Sequence, residues 1–240
     1  MKTKKSFLGS KLAVVAAVAG LLLGAASAQA QAPVPSSSTP SMIGGQVVGS
    51  GRFVIGATTG YPETQLRLIW GLSNKFDIGF TGGLSYGTNA IAGIRQRVGG
   101  DFQVPLRWTL ATKPKFNVAI RAVPYFRIGQ YEPAFGFGGV VGARFGIPLP
   151  KVFTLIVGFE QRLGFGSYGG QQVCTGFGCT TSNRFNFFDG ASYAVFAIES
   201  FFKNKWFFNL EFDGGGYYGS NNAGGHGLFN AHVGFGVQLH

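Results

Sequence analysis

Residues 101–129 carry an alternation that most of the chain repeats. In the first arm, DFQVPLRWTLA, large apolar side chains occupy alternate positions from Phe102 to Leu110, with mostly polar residues between them. The second arm, FNVAIRAVPYFRIG, alternates in the same way from Phe116. A period of two predicts β-strands, and the TKPK turn between the arms predicts a hairpin. One face of this hairpin is apolar and aromatic, and the other carries arginine.

The same alternation predicts an all-β fold with about ten strands in one antiparallel, up-and-down transmembrane β-barrel. The expected strands are 46–59, 64–72, 76–86, 101–112, 116–129, 135–148, 152–165, 191–202, 206–218 and 227–239. Eight or twelve strands remain as alternatives. Residues 87–100 could add an eleventh strand, but a protruding start to the fourth strand is the preferred interpretation.

The connections between these strands alternate between two kinds. Short turns contain residues 73–75, 113–115, 150–151 and 204–205, whereas longer Gly/Asn/Ser-rich connections cover 60–63, 87–100, 130–134, 166–190 and 219–226. Short periplasmic turns and longer extracellular loops are typical of outer-membrane barrels. The lysines beyond residue 30 lie in or beside the short turns, at positions 75, 113, 115, 151, 203 and 205. Ammonium groups at one rim suit contact with phospholipid headgroups.

An alternating barrel can bury its aromatic face as a soluble core or turn that face towards lipid. The charged face is rich in glycine, and lysine is absent from the predicted strands, although a solvated face would use lysine freely. Aromatic residues directly follow the short turns, as an interfacial girdle requires. They are Phe76, Phe116, Phe153 and Trp206. These features favour an outward, lipid-facing aromatic surface.

The charged residues of the opposite parity are then expected to form a network in the lumen. They are Arg52, Arg67, Asp77, Arg107, Arg121, Arg127, Arg144, Glu160, Arg162, Glu199, Glu211 and Asp213. Arginine dominates the first six strands and carboxylates dominate the later ones. Closure of the sheet therefore predicts Arg–carboxylate pairs across a narrow, side-chain-filled bore. A narrow ion-conducting path lined by these charges is the alternative interpretation.

The first 30 residues predict export. Four lysines among the first eleven residues precede an apolar run, 12–26, and the sequence Ala-Gln-Ala that ends at Ala30. This run of about 15 residues is shorter than a membrane-spanning helix requires. We therefore predict a signal peptide, 1–30, cleaved after Ala30. The Pro/Ser-rich residues 31–45 predict a flexible periplasmic leader, and 46–240 the barrel itself.

Composition excludes two common classes of protein. Charged residues make up 12% of the chain, about half the share usual in a soluble domain. A helical membrane protein should show long uncharged segments, and the chain has none of that length after the leader. Without the leader's four lysines, 16 Lys and Arg stand against 9 Asp and Glu, a net charge of about +7. Nucleic acid is not an expected partner, because the chain is exported and its basic residues are scattered.

The long connection 166–190 holds both cysteines of the chain, Cys174 and Cys179. In an exported protein this arrangement predicts a local disulfide. No neighbouring Cys or His completes a zinc site. Because the connection is long and aromatic, it is the candidate for binding a surface ligand, and a lid over the barrel mouth is the equal alternative.

The C-terminal sequence HVGFGVQL resembles the β-signal of outer-membrane proteins. His232 and Gly234 occupy its polar and glycine positions, and Val237 and Leu239 its apolar positions. Leu239 replaces the usual terminal aromatic residue, and His240 follows it. The chain is similar to the small outer-membrane β-barrel superfamily, which includes the outer-membrane protein A and X barrels. This resemblance implies a bacterial outer-membrane location, contact with outer-membrane lipids and insertion by the barrel-assembly machinery.

The sequence predicts no catalytic, cofactor-binding or metal site. It contains no P-loop, dinucleotide fingerprint or nucleophile elbow. The expected function is non-enzymatic, either structural in the envelope or in surface interaction through extracellular loops, and a small channel is the alternative. A lipid A-modifying enzyme is a further alternative, because some barrels of the superfamily modify lipid A, and this activity would require a nucleophile and a base. His226 follows Ser220 and Asn221, and we expect this histidine to have no catalytic task.

Overall fold

The computed structural model describes residues 40–86, 98–129, 135–149, 152–168, 172–175, 178–181, 185–219 and 226–239. Within this part of the chain there are thirteen strands. They are β1 (Phe53–Tyr61), β2 (Glu63–Gly71), β3 (Phe76–Ser85), β4 (Gly99–Gln103), β5 (Leu106–Lys113), β6 (Phe116–Ile128), β7 (Phe135–Pro148), β8 (Phe153–Tyr168), β9 (Gln172–Thr175), β10 (Gly178–Thr181), β11 (Phe185–Phe202), β12 (Trp206–Gly219) and β13 (His226–Leu239).

The main sheet closes into an antiparallel barrel. β1 pairs with β2 on one side and with β13 on the other, from Phe53 opposite Leu239 to Tyr61 opposite Ala231. The remaining strands of the barrel pair in chain order, except that β8 pairs directly with β11. β4 and β5 share one position between β3 and β6. The barrel therefore has ten positions, which confirms the predicted fold class and strand number. β9 and β10 form a separate hairpin. Among the described residues, no helix has the length and apolar character needed to span a membrane.

The predicted fourth strand is interrupted in the middle. β4 ends at Gln103 and β5 starts at Leu106, with Val104 and Pro105 between them. Proline has no N–H to donate to a sheet. The Pro105 carbonyl still accepts from Gly79 N at 2.7 Å, and Val104 N donates to Pro124 O at 3.0 Å. The break is local, so both parts remain between the same neighbours, and the single strand predicted over 101–112 is corrected to two.

The N-terminal boundary of the barrel also differs from the prediction. The first strand was expected from residue 46, but β1 begins at Phe53. Residues 40–48, from here on the lumen segment, are buried throughout without forming a strand. The expected flexible leader ended at residue 45, and its described part, 40–45, lies inside the barrel. Residues 31–39 are outside the described part. A segment that is enclosed on all sides has no exposed face, so it shows no alternation in sequence.

The barrel exterior is apolar over a wide surface. Outward side chains on successive strands are largely exposed, for example Leu66 at 67%, Trp70 at 54%, Phe159 at 58% and Phe229 at 61%. Inward neighbours on the same strands, such as Gln65, are buried. The sequence predicts this same assignment, with large apolar side chains outward and polar side chains inward. A contiguous apolar exterior of this kind is foreign to water-soluble monomers.

Aromatic side chains cluster at both ends of this exterior. Near the short turns, the Trp206 ring stacks on Phe235 at 5.3 Å, and the Lys205 ammonium lies 5.7 Å from the Trp206 ring. Near the opposite end, Phe165 and Phe188 lie 5.3 Å apart. Aromatic and cationic groups in this arrangement are typical of the two interfaces of a bilayer.

Candidate functional site

The lumen segment is anchored to the barrel wall by hydrogen bonds at the end where the short turns lie. On β11, the Glu199 carboxylate accepts from the backbone N–H groups of Met42, at 3.0 Å, and Ile43, at 3.2 Å. On the opposite wall, Val47 N donates to Thr109 Oγ1 at 3.1 Å, and Val48 N donates to Asp77 at 3.1 Å. These four donors would otherwise be buried without a partner. The segment therefore crosses the bore from β11 to β5 and β3.

The side chains of the lumen segment form an apolar layer with the wall. Their cluster contains Met42, Ile43, Val48, Val54, Ile69, Ile156, Ala197, Phe201 and Phe207. The Phe201 and Phe207 rings lie 4.5 Å apart, and Phe207 is fully buried. These wall residues point inward, although the sequence analysis expects an inner face of charged and small residues. At this end of the barrel the lumen is filled by hydrophobic packing.

Glycines on the wall make room for the lumen segment. A Cβ at Gly56 or Gly236 would come within 3 Å of the Met42 sulfur. On the segment itself, a Cβ at Gly45 would lie 2.7 Å from the Asn117 carbonyl oxygen and 2.8 Å from Gly146 N. Backbone atoms cannot move aside as a flexible side chain can. The inward glycines are therefore part of the fit between segment and wall, beyond their role as small spacers.

Two ion pairs join neighbouring strands that are in register. Asp77 and Arg107 are direct cross-strand partners, and the guanidinium donates twice, from Nε to Oδ1 at 3.0 Å and from Nη2 to Oδ2 at 2.5 Å. Asp101 and Arg127 are partners in the same sense, with Nε 2.5 Å from Oδ2. Both aspartates are almost completely buried. These pairs run along the wall of the barrel rather than across its bore.

A second group of charges reaches further around the barrel. The Arg144 guanidinium on β7 donates to Glu160 on β8 at 2.6 Å and to Glu211 on β12 at 2.7 Å. Its remaining nitrogen donates to the Ile43 carbonyl of the lumen segment at 2.9 Å. Arg121 donates to the same Glu160 at 2.9 Å, and the Tyr193 hydroxyl lies 3.2 Å from this carboxylate. Arg144 therefore ties three parts of the lumen together.

The other charges assigned to the lumen from sequence are less closely connected. Arg162 and Asp213 are buried inside the barrel, and Arg67 is partly buried, with Nη2 3.4 Å from Gln65 Oε1. Arg52 precedes β1 in a turn, where its backbone N–H donates to Gly49 O at 3.3 Å. It thus belongs to the short-turn rim by position.

The sequence analysis missed two carboxylates that the structure places in the lumen. Asp101 is fully buried against Arg127, and Glu63 accepts from Gln65 Nε2 at 2.5 Å. The alternation of inward and outward positions along a strand could have identified both carboxylates. Asp101 lies an even number of residues from Arg107, and Glu63 lies an even number from Arg67, so each shares a face with a residue already assigned to the lumen.

The terminal strand closes the barrel with the pattern that the resemblance describes. His232 and Gly234 face the lumen, whereas Val237 and Leu239 are on the outward parity and Leu239 lies opposite Phe53 of β1. His232 is also directly opposite Glu211 of β12. A Cβ at Gly234 would come within 2.8 Å of Asn209 and Thr58 atoms. The polar positions of the motif are thus accommodated inside and the apolar positions outside.

The connection 166–190 is partly structured. β8 extends to Tyr168 and β11 begins at Phe185, and between them β9 and β10 pair with Cys174 directly opposite Cys179. Directly opposed residues have the Cα separation that a disulfide needs, and the bond itself stays a prediction.

Lys151, Ser220, Asn221 and the His226 side chain lie outside the described residues. In the part of the chain that is described, no cluster of three or more His, Cys, Asp or Glu residues is arranged to hold a metal ion.

Comparison with known proteins gives structural matches only. The N-terminal β-barrel domain of Pseudomonas aeruginosa OprF covers 78% of this chain and 96% of its own, with 9% identity and a TM-score of 0.35. The KdgM porin in complex with disordered oligogalacturonate covers 79% and 99%, with 9% identity and a TM-score of 0.37. A second KdgM porin structure gives 8% identity and a TM-score of 0.34. No family model matches the chain, and no curated protein does. The architecture assigned above therefore rests on the strand pairings of the chain itself.

Proposed function

We propose that the chain is an exported, non-enzymatic β-barrel of the bacterial outer membrane with a closed lumen. In this proposal the outward apolar side chains contact acyl chains, and the aromatic clusters lie at the two interfaces. The predicted signal peptide, with cleavage after Ala30, supports export, and the C-terminal motif supports insertion by the barrel-assembly machinery. The physiological role is structural support of the envelope or surface interaction through the long connections, 166–190 above all.

The observation that carries the closed lumen is the lumen segment. It lies across the short-turn end of the bore, packs against Phe207 and Ile156, and is anchored to Glu199 by two backbone donors. Beyond it, Arg144 and its carboxylate partners occupy the middle of the bore. A barrel of eight to ten strands has about enough interior for its own side chains. We infer that the added chain segment closes the aqueous path at that end.

A gated channel is the second candidate, and one feature of the segment favours it. The lumen segment is not a strand of the wall, so its departure would leave every strand pairing intact. Its exit would expose a bore lined by Glu199, Thr109 and Asp77, the groups that now accept its hydrogen bonds. Such a path would be polar and narrow.

Conductance in planar bilayers separates the two candidates. The mature protein, residues 31–240, should insert without producing steady current steps at moderate voltage. A variant with residues 40–48 replaced by a Gly/Ser sequence of the same length should conduct in small steps, because the segment that closes one end is gone and the charged layer around Arg144 only narrows the bore. A matched control carries the same replacement at residues 31–39, outside the described part, and should stay silent. Circular dichroism and heat-modifiable gel mobility check that each barrel has folded. Steady steps from the mature protein itself would favour the gated channel over the closed barrel.

A further inference from the structure

A small cavity lies inside the barrel against the lumen segment. Its volume is about 30 Å³, above the roughly 10–15 Å³ that a cavity needs to hold one water molecule. Met42 and Ile43 form one side, and Arg67, Arg107 and Arg121 contribute to the others. The cavity is therefore bounded by an apolar segment on one side and by guanidinium groups from three strands on another.

Two of the arginines that line this cavity have a buried donor without an acceptor in the described part of the chain. Arg107 is 5% exposed and uses Nε and Nη2 on Asp77, but its Nη1 is buried without a hydrogen-bond partner among the described residues. Arg121 uses Nη1 on Glu160, and its Nε is buried and unpartnered in the same sense. A buried donor without an acceptor is destabilising, because it has lost its hydrogen bond to water without replacing it. Two such donors on residues that line one cavity point to an acceptor inside it.

Charge around the cavity is also unbalanced. Three guanidinium groups line it, against the single carboxylate of Asp77. That carboxylate is already occupied, because it accepts from Arg107 and from Val48 N. Among the described residues, two carboxylates outside the cavity are bonded to side chains that line it, and both already have arginine partners. Glu160 is shared between Arg121 and Arg144, and Asp101, which accepts from Gln103, is paired with Arg127. A compensating negative charge in the cavity would lower the cost of burying these cations.

We propose that this cavity binds one small monovalent anion of the halide class, with chloride as the physiological ion. A cavity of about 30 Å³ has room for one small ion in the place of ordered water. Guanidinium N–H groups are suited to anions because they donate without ever accepting. The proposal goes beyond the function of the barrel, since a halide could be held there whether or not the lumen conducts.

The first test is thermal stability of the detergent-solubilised mature protein in sodium chloride against sodium gluconate at equal ionic strength. An ion that binds only the folded state raises the melting temperature with ion concentration. Chloride and bromide should do so, and gluconate, which is too large, should not. Equal melting curves in chloride and gluconate would overturn the proposal.

Matched variants locate the effect. Arg107→Gln combined with Asp77→Asn removes the ion pair together with the unpartnered donor, so no charge is left stranded, and the chloride effect should disappear. Arg127→Gln with Asp101→Asn removes a similar pair whose residues do not line the cavity. Asp101 accepts from the lining Gln103, and the amide oxygen introduced at position 101 can still do so, so the chloride effect should persist. Loss of the chloride effect in both double variants, or in neither, would contradict the assignment of the anion to this cavity.

Crystals grown in sodium bromide should show anomalous scattering from bromide in the cavity. A water molecule alone at that place would refute the proposal. A negative result in the stability test or in the bromide crystals would leave the closed lumen untouched, because conductance tests that proposal separately.

Discussion

Two levels of the same lumen are filled in different ways. At the short-turn end, inward residues such as Ile156 and Phe207 pack against the apolar lumen segment. In the middle, the inward positions carry Arg144, Glu160 and Glu211, which are bound to one another. Both levels are buried, so the difference does not come from exposure to water. A layer filled by an added segment can be apolar, whereas a layer filled only by side chains of a polar face must pair its charges.

The two levels should respond differently to the loss of one side chain. In the apolar layer, truncation leaves a cavity whose cost depends on how far its surroundings relax. In the charged layer, removal of one partner strands the others as buried charges. The layers meet at the Ile43 carbonyl, which accepts from Arg144. Mutations in the middle of the bore are therefore expected to disturb the lumen segment as well.

The largest effect is expected from Arg144→Met. This change leaves Glu211 without its ion-pair partner and Glu160 with only Arg121, so the free energy of unfolding should fall by about 3–5 kcal/mol. Urea unfolding in detergent or lipid vesicles measures the change. The triple variant Arg144→Met, Glu160→Gln and Glu211→Gln should recover most of the loss, because it removes the stranded charges. If the single variant is as stable as the triple variant, the stranded carboxylates of Glu160 and Glu211 are not the cause of the loss.

A slightly smaller effect is expected from Phe207→Ala in the apolar layer. Phe207 is fully buried, and its truncation should lower the free energy of unfolding by about 3 kcal/mol. The adjacent Phe208 points outward and is 46% exposed, so Phe208→Ala serves as the matched control. The control should be destabilised much less under the same unfolding conditions. Equal losses from the two substitutions would mean that residue 207 does not face a packed interior.

The sequence predicts the wall of this barrel better than its contents. A period of two depends only on neighbouring residues, so the outward parity of Trp70, Phe80 and Phe159 could be read directly. The inner partners depend on which strands meet after closure. Arg144 pairs with Glu211 of a strand that is not its neighbour, and no local pattern contains that information. Proline and serine before Met42 predict flexibility, although the residues that follow are enclosed and hydrogen-bonded.

Amide hydrogen exchange of the folded protein tests the lumen segment most directly. The N–H groups of Met42, Ile43, Val47 and Val48 donate to buried side chains, so they should exchange slowly, on the timescale of the barrel strands. Glu199→Gln should selectively speed exchange at Met42 and Ile43, because it weakens the acceptor that those two amides share. Exchange of all four amides at the rate of an unprotected peptide would contradict the account and would mean that residues 40–48 are flexible and lie outside the barrel.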